Sequence, residues 1–321
     1  MRRLIQVTSF LTLLLAVTHA GAQPAYPTKP IRVINGDPLG SPSDVLMRIV
    51  AVPLAALLGQ PVLVENRPGA INTIGLAAVA KSEPDGHTLG VMPMPSTVAP
   101  SLLPQIPFDT ARDFAPVRQL SWASNVLVVR AESRVTSIEN LVATAKAEPE
   151  RLTYASGGNA TPAHLSGELF RLAANIQIRH VPFKGAVAGV TAVIGEQVDM
   201  MFATVPSVIA HIKSGKLRAL ATPAPSRLTV LPDVPTLSEL GYPVEVRGWQ
   251  GVVAPAGTPK AVIARLETAL ATVISQKDVR ERLLAVGLEP AESNAEAFGT
   301  HIRSELQKWA RAVRDAGIRA D

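Results

Sequence analysis

The chain contains no cysteine in 321 residues. That excludes disulfides, thiolate metal sites and a lipid-anchored N-terminal cysteine. Aromatic residues make up only 4% of it, which counts against a sugar site built from stacked rings. Catalytic signatures are missing too. There is no G-x-S-x-G, no H-E-x-x-H, no Walker A loop and no G-x-G-x-x-G. Six histidines are present, and the five beyond His19 show no metal-ligand spacing. No nucleophile–base pair stands out. These absences favour a binder over an enzyme, with neither metal nor cofactor expected.

Long apolar runs are confined to the N-terminus. Met1-Arg2-Arg3 is a basic n-region, Leu4 to Val17 is mostly apolar, and Ala20-Gly21-Ala22 offers an A-x-A cleavage site. The run is too short and interrupted for a comfortable transmembrane helix. Residues 1–22 therefore read as a cleaved Sec-type signal, with an uncleaved anchor as the alternative. The mature chain is expected to start at Gln23, in a bacterial periplasm. The full chain has 31 basic and 26 acidic residues. Cleavage removes two of the basic ones and no acid, leaving a net charge of +3. That excess is scattered rather than striped, so nucleic acid is not an expected partner. It mildly suits a collector of anions.

About 300 mature residues suit two domains better than one core. Short β-branched runs alternate with helical ones, which predicts α/β layers with parallel strands. "PIRVI", "QPVLVEN" and "HTLGVM" are strands separated by helices over 43–58 and 71–81. The pattern restarts at "NVLVVR" and continues to "KLRALAT", with helices over 137–148, 161–174, 185–195 and 205–214. After "VRGWQGVVAP" come helices near 259–274, 276–285 and 293–316 with few strands to cover. They are expected to return to the first unit. Residues 23–120 plus 247–321 would form one lobe and 121–246 the other, joined by two crossovers. Ligands bind beyond strand C-termini in such sheets. Loops 36–44, 67–75, 92–97, 156–161, 183–185 and 203–207 should then ring one cleft.

One of these loops is unusually well specified. In "SGGNATPAHLSGELF" (156–170), Thr161 stands at an N-cap and Pro162 at the first helical position. The free N–H groups beyond two glycines either hold an anion or simply cap a helix. His164, in the first turn, either faces the cleft or is solvated. Lys184 in "VPFKG" either contacts an anion or sits at a rim. Asp44 opens a helix, where an acid favours the dipole.

The collinear stretches "YPTKPIRVI", "LGQPVLVENRPGA", "PDGHTL", "DFAPV", "YASGGNATPAHLSGELF", "HVPFKG", "GEQVDMMFATVPS", "IKSGKLRALA", "LPDVPTLSELG" and "APAGTP" span the mature chain. Through them it resembles the periplasmic solute-binding proteins of tripartite tricarboxylate transporters, the Bug or TctC family. The resemblance implies a two-lobed α/β periplasmic binding protein, a type II-like Venus flytrap with two interdomain crossovers. It implies a small carboxylate ligand, held by backbone amides, hydroxyls and waters, and delivery to membrane transporter subunits by a monomer. It points to Pro38, Gly40, Ser43, Asp44, Asn72, Thr73 and Ser96 in the first lobe. In the second it points to Ser156, Gly157, Asn159, Thr161, His164, Lys184 and Thr204. A sensory receptor serving a membrane kinase, and an enzyme on the same scaffold, are the alternatives.

The chain departs from the family in the first lobe. Its first loop reads Gly36-Asp37-Pro38-Leu39-Gly40-Ser41-Pro42-Ser43-Asp44, where the family usually has "PFPPGGGTD". Asp37 replaces an apolar aromatic position. Residues 69–75 read "GAINTIG" instead of "GAGGNIG", and Pro93 and Pro95 enter a loop usually rich in Gly, Thr and Asn. The second lobe is closer to type, apart from Ala203-Thr204 in "MFATVPS". These changes predict a ligand with fewer negative charges than citrate: a monocarboxylate, an amino acid or a nicotinate-like molecule.

Overall fold

The structure, a computed structural model, describes residues 26–318. The proposed signal peptide lies outside the described residues.

Two α/β layers share one strand. In the first, β1 (Ile31–Asn35) lies between β2 (Val62–Asn66) and β3 (Thr88–Pro93), all parallel. Helix α1 (Pro42–Leu58) follows β1 and α2 (Thr73–Ala80) follows β2. A helix not anticipated from the sequence, α3 (Pro95–Leu102), follows β3 directly. Strand β4 (Phe114–Arg130) is 17 residues long and runs through both layers. Its first part, Phe114–Ser124, pairs antiparallel with β9 (Arg247–Pro255); its second, Asn125–Val129, pairs with β7 (Met200–Thr204). Parallel β5 (Thr153–Ser156) and β6 (Arg179–Pro182) complete the second sheet beside β7. There β8 (Leu217–Ala221) pairs with the other edge of β4. Helices α4 (Ile138–Ala147), α5 (Pro162–Ala173), α6 (Ala186–Ile194) and α7 (Val205–Lys213) alternate with these strands. The chain then returns through β9 to α8 (Lys260–Ser275), α9 (Lys277–Ala285), β10 (Leu288–Pro290) and α10 (Ala295–Ala316). Strand β10 pairs with β4 at Ser121–Ala123, on the first layer.

Sequence patterning explains the layers. In α1, Leu46, Met47, Val50 and Leu54 recur at helical spacing and are fully buried. Each such side chain contributes about 1.5–3 kcal/mol on burial. They pack with Ile31, Val33 and the α8 residues Leu266 and Leu270 in one core, which ties the returning helices to the first sheet. The second sheet buries Val126, Val128, Met201 and Phe202 with Phe170 of α5 in another. Among the described residues no helix is long and apolar enough to cross a membrane.

Candidate ligand site

Where β4 changes sheets, the two layers leave a cavity of about 670 Å³, counting its open mouth. Its floor is the strand pair itself. Ala123 of β4 lies opposite Gly248 of β9, and both line the space with Trp249 and Gln250. Gly248 is required there: a Cβ would stand 2.8 Å from the Ala123 carbonyl oxygen and 3.3 Å from Pro162. Trp249 is fully buried, its indole N–H donating to Glu305 at 3.0 Å. The same carboxylate accepts from Trp309 at 2.8 Å, so α10 anchors the floor from behind. Gln250, only 5% exposed, accepts from Ser121 Oγ through Oε1 at 2.7 Å.

The first wall comes from the 37–42 loop and residues 93–95. Ser41 is the N-cap of α1, its Oγ accepting from the Asp44 N–H at 3.3 Å. Asp37, Pro38, Ser41, Pro42, Pro93, Met94 and Pro95 line the space. Four of these seven are prolines and have no N–H to donate. The Asp37 carboxylate accepts from Ser43 Oγ at 2.5 Å. Burial pushes its pKa up, hydrogen bonds from Ser43 and Asn72 oppose the rise, and nearby Asp44 adds to it.

The second wall is made of helix starts. Thr161 caps α5: its Oγ1 accepts from the His164 N–H at 3.4 Å and donates to the Gly158 carbonyl at 2.7 Å. Thr161, Pro162 and Ala163 line the cavity, with Gly157, Gly185, Ala186, Met201 and Thr204. Ala163 is the second residue of α5 and Ala186 the first of α6. At those positions a backbone N–H has no intrahelical acceptor. A helix start carries about half a positive charge. Gly157 permits the close approach of its loop to α6, since a Cβ there would lie 3.0 Å from the Ala186 nitrogen.

Of the fourteen residues named from the sequence, the structure brings Pro38, Gly157, Thr161 and Thr204 to the cavity. Gly40 and Lys184 line an adjoining crevice at its mouth, with Leu39 and Val187. Ser43 stands behind Asp37 and positions it. Asp44 is 3% exposed and structural in its contacts, accepting from the Gly40 N–H at 3.0 Å and from Arg48 Nε at 3.0 Å. Burial alone would raise its pKa, but the hydrogen bonds from Arg48, Gly40 and Asn66 outweigh it and hold it below the usual range.

The remaining six do not line the cavity. Thr73 spends its hydroxyl on the Ala70 carbonyl at 2.7 Å. Asn72 is buried against Gly36, so the 67–75 loop backs the first wall without reaching the space. Ser96 is buried one residue beyond Pro95. Ser156 bonds within its own loop and to His180 Nε2 at 2.7 Å. His164 is neither solvated nor in the cleft. It is 3% exposed, accepts from the Ala160 N–H at 3.2 Å and stacks on His180 at 4.2 Å, supporting the loop from beneath. Asn159 sits half-buried in that loop. The reading from sequence missed Ser41, Ala163, Ala186 and the floor residues. Ser41-Pro42 repeats the Thr161-Pro162 capping signal and was legible; the floor residues sit inside a strand, with no local mark.

A two-lobed α/β shell with a cleft at the sheet junction defines a periplasmic binding protein. Comparison places it further: the chain belongs to the tripartite tricarboxylate transporter family receptors (TctC), whose model matches residues 46–318. It is 36% identical over 322 residues to the protein BugT of Bordetella pertussis, covering 99% of each chain. Its fold is similar to that of the periplasmic binding protein BugD, with a TM-score of 0.85, 30% identity and coverage of 92% of this chain and 99% of that one. It is also similar to Rpa4515 of R. palustris, solved with adipate, with a TM-score of 0.87, 28% identity and the same coverage. The family is one of receptors, not enzymes.

Proposed function

We propose that this protein captures a small carboxylate-bearing metabolite between its lobes and delivers it to a tripartite tricarboxylate-type membrane transporter. The observation that carries this reading is the second wall. Thr161, Ala163, Ala186 and Thr204 gather three helix starts at one cavity. Converging N–H groups and dipoles suit an anion without a cationic side chain. The adipate held by the similar Rpa4515 is consistent with it. The proposed lobes meet where β4 exchanges β9 for β7, at Ser124/Asn125, and where the chain re-enters β9 near Arg247. Two adjacent strands form a hinge that lets the walls close on a ligand. The proposal includes removal of residues 1–22 on export.

A thermal-shift titration with mono- and dicarboxylates tests capture. A ligand at a hundredfold excess over its Kd adds about 2.7 kcal/mol of stability. Stabilisation by at least one acid, lost in Gly157→Val, is the expected result. Indifference to every acid contradicts the proposal.

A further inference from the structure

Among the described residues, the nineteen that line the cavity include one charged side chain, Asp37, and no cation. That is an unusual balance for a site read as holding an anion. The two walls resolve it, because their electrostatics are opposite. On the first, acids of the chain itself stand at the positive end of α1: Asp44 lies in its first turn, and Asp37 accepts from the hydroxyl of Ser43, its second residue. Little positive potential is left over, and Pro38, Pro42, Pro93 and Pro95 offer no N–H. On the second wall the starts of α5 and α6 keep donors at Ala163 and Ala186 with no acid beside them. Met94, Met201, Ala123 and Trp249 add apolar lining from both walls and the floor. Gln250 adds a neutral amide at the floor.

We infer that the ligand is an amino acid of a particular shape, with its carboxylate on the second wall and an ammonium or other N–H donor at its far end against Asp37, joined by an apolar body. This rests on the carboxylate reading above and narrows it: a dicarboxylate of the same length sets a second anion against Asp37. Burial already makes the Asp37 charge costly, so a partner cation relieves that cost and a second carboxylate compounds it. Lys184 lines the adjoining crevice and not the cavity, and does not neutralise the space from within.

Two length-matched series test this on the full mature protein by calorimetry and thermal shift: adipate, 6-aminohexanoate and hexanoate, then succinate, 4-aminobutanoate and butanoate. In at least one series the amino acid should bind at least tenfold more tightly than both its dicarboxylate and its plain acid. Asp37→Asn should shrink that preference at least tenfold. The ordering in the unaltered protein decides the matter even where the variant folds poorly. In both series a dicarboxylate or plain acid that binds as tightly as the amino acid, or a preference that survives Asp37→Asn, overturns the inference and leaves the carboxylate reading standing. No stabilisation by any of the six, in either protein, overturns both.

Discussion

The two walls are built by the same local device and end in different chemistry. Each presents a hydroxyl N-cap followed by proline: Ser41-Pro42 opens α1, and Thr161-Pro162 opens α5. On the first wall the chain supplies its own acids to the device, with Asp44 in the first turn and Asp37 bonded to the Ser43 hydroxyl. On the second, glycines at 157 and 185 bring two helix starts together and leave their donors open. A helix N-terminus is thus a binding site only where the chain does not supply its own acid.

This contrast can be broken at the second wall first. Gly157→Val puts a branched side chain against Ala186 and into the cavity. Loss of affinity of at least about a hundredfold, or 2.8 kcal/mol, is expected by calorimetry. A smaller effect is expected from Ala186→Pro. Proline is well tolerated at a first helical position, so the substitution deletes one donor and spares the helix. Affinity should drop about ten- to a hundredfold, the worth of one charge-assisted hydrogen bond of about 1.5–3 kcal/mol. Stability should change by less than about 1 kcal/mol. Loss of stability with unchanged affinity would assign Ala186 to structure alone.

Ser41→Ala probes the first wall. It removes the N-cap of α1 and should cost about 1 kcal/mol of folding stability by urea denaturation. Affinity should move by less than about threefold, because Asp37 and Asp44 already stand beside that helix start. The smallest expected effect concerns Asp37 without ligand. Burial raises its native pKa above 3.8, so the native state carries the cost of its charge at neutral pH. That cost is relieved as pH falls through the raised native value, and is gone below the unfolded value near 3.8. Asp37→Asn should therefore stabilise the empty protein at pH 7–8, on the order of 1 kcal/mol or about 2 °C in Tm. The gain should shrink steadily towards pH 4. A gain that grows on acidification contradicts the sign of the shift.

Much of the architecture was legible because strand, turn and helix each left a local mark. Alternation and β-branching gave β1 to β3 and β5 to β8, and capping gave the start of α5. The first part of β4 was not legible. Its register slips between Pro116 and Arg118 and again between Gln119 and Ser121, so the two-residue period is broken. Helix α3 hid behind Pro95 and Pro100, which read as loop residues. Within the site, sequence identified the loops but not the direction of each side chain. Thr73 and Ser156 are loop residues with hydroxyls, yet both turn them onto nearby partners. Asp37 was recognisable as a departure from the family pattern; its contact with Ser43 needed the fold.

The most direct test of the two-wall account is a crystal structure with whichever acid from the two series binds most tightly. A ligand carboxylate is expected within about 3.2 Å of a donor on the second wall, at Ala163, Ala186 or Thr161. No ligand carboxylate is expected beside Asp37. A carboxylate seated against Asp37 on the first wall, with the starts of α5 and α6 empty, would contradict it.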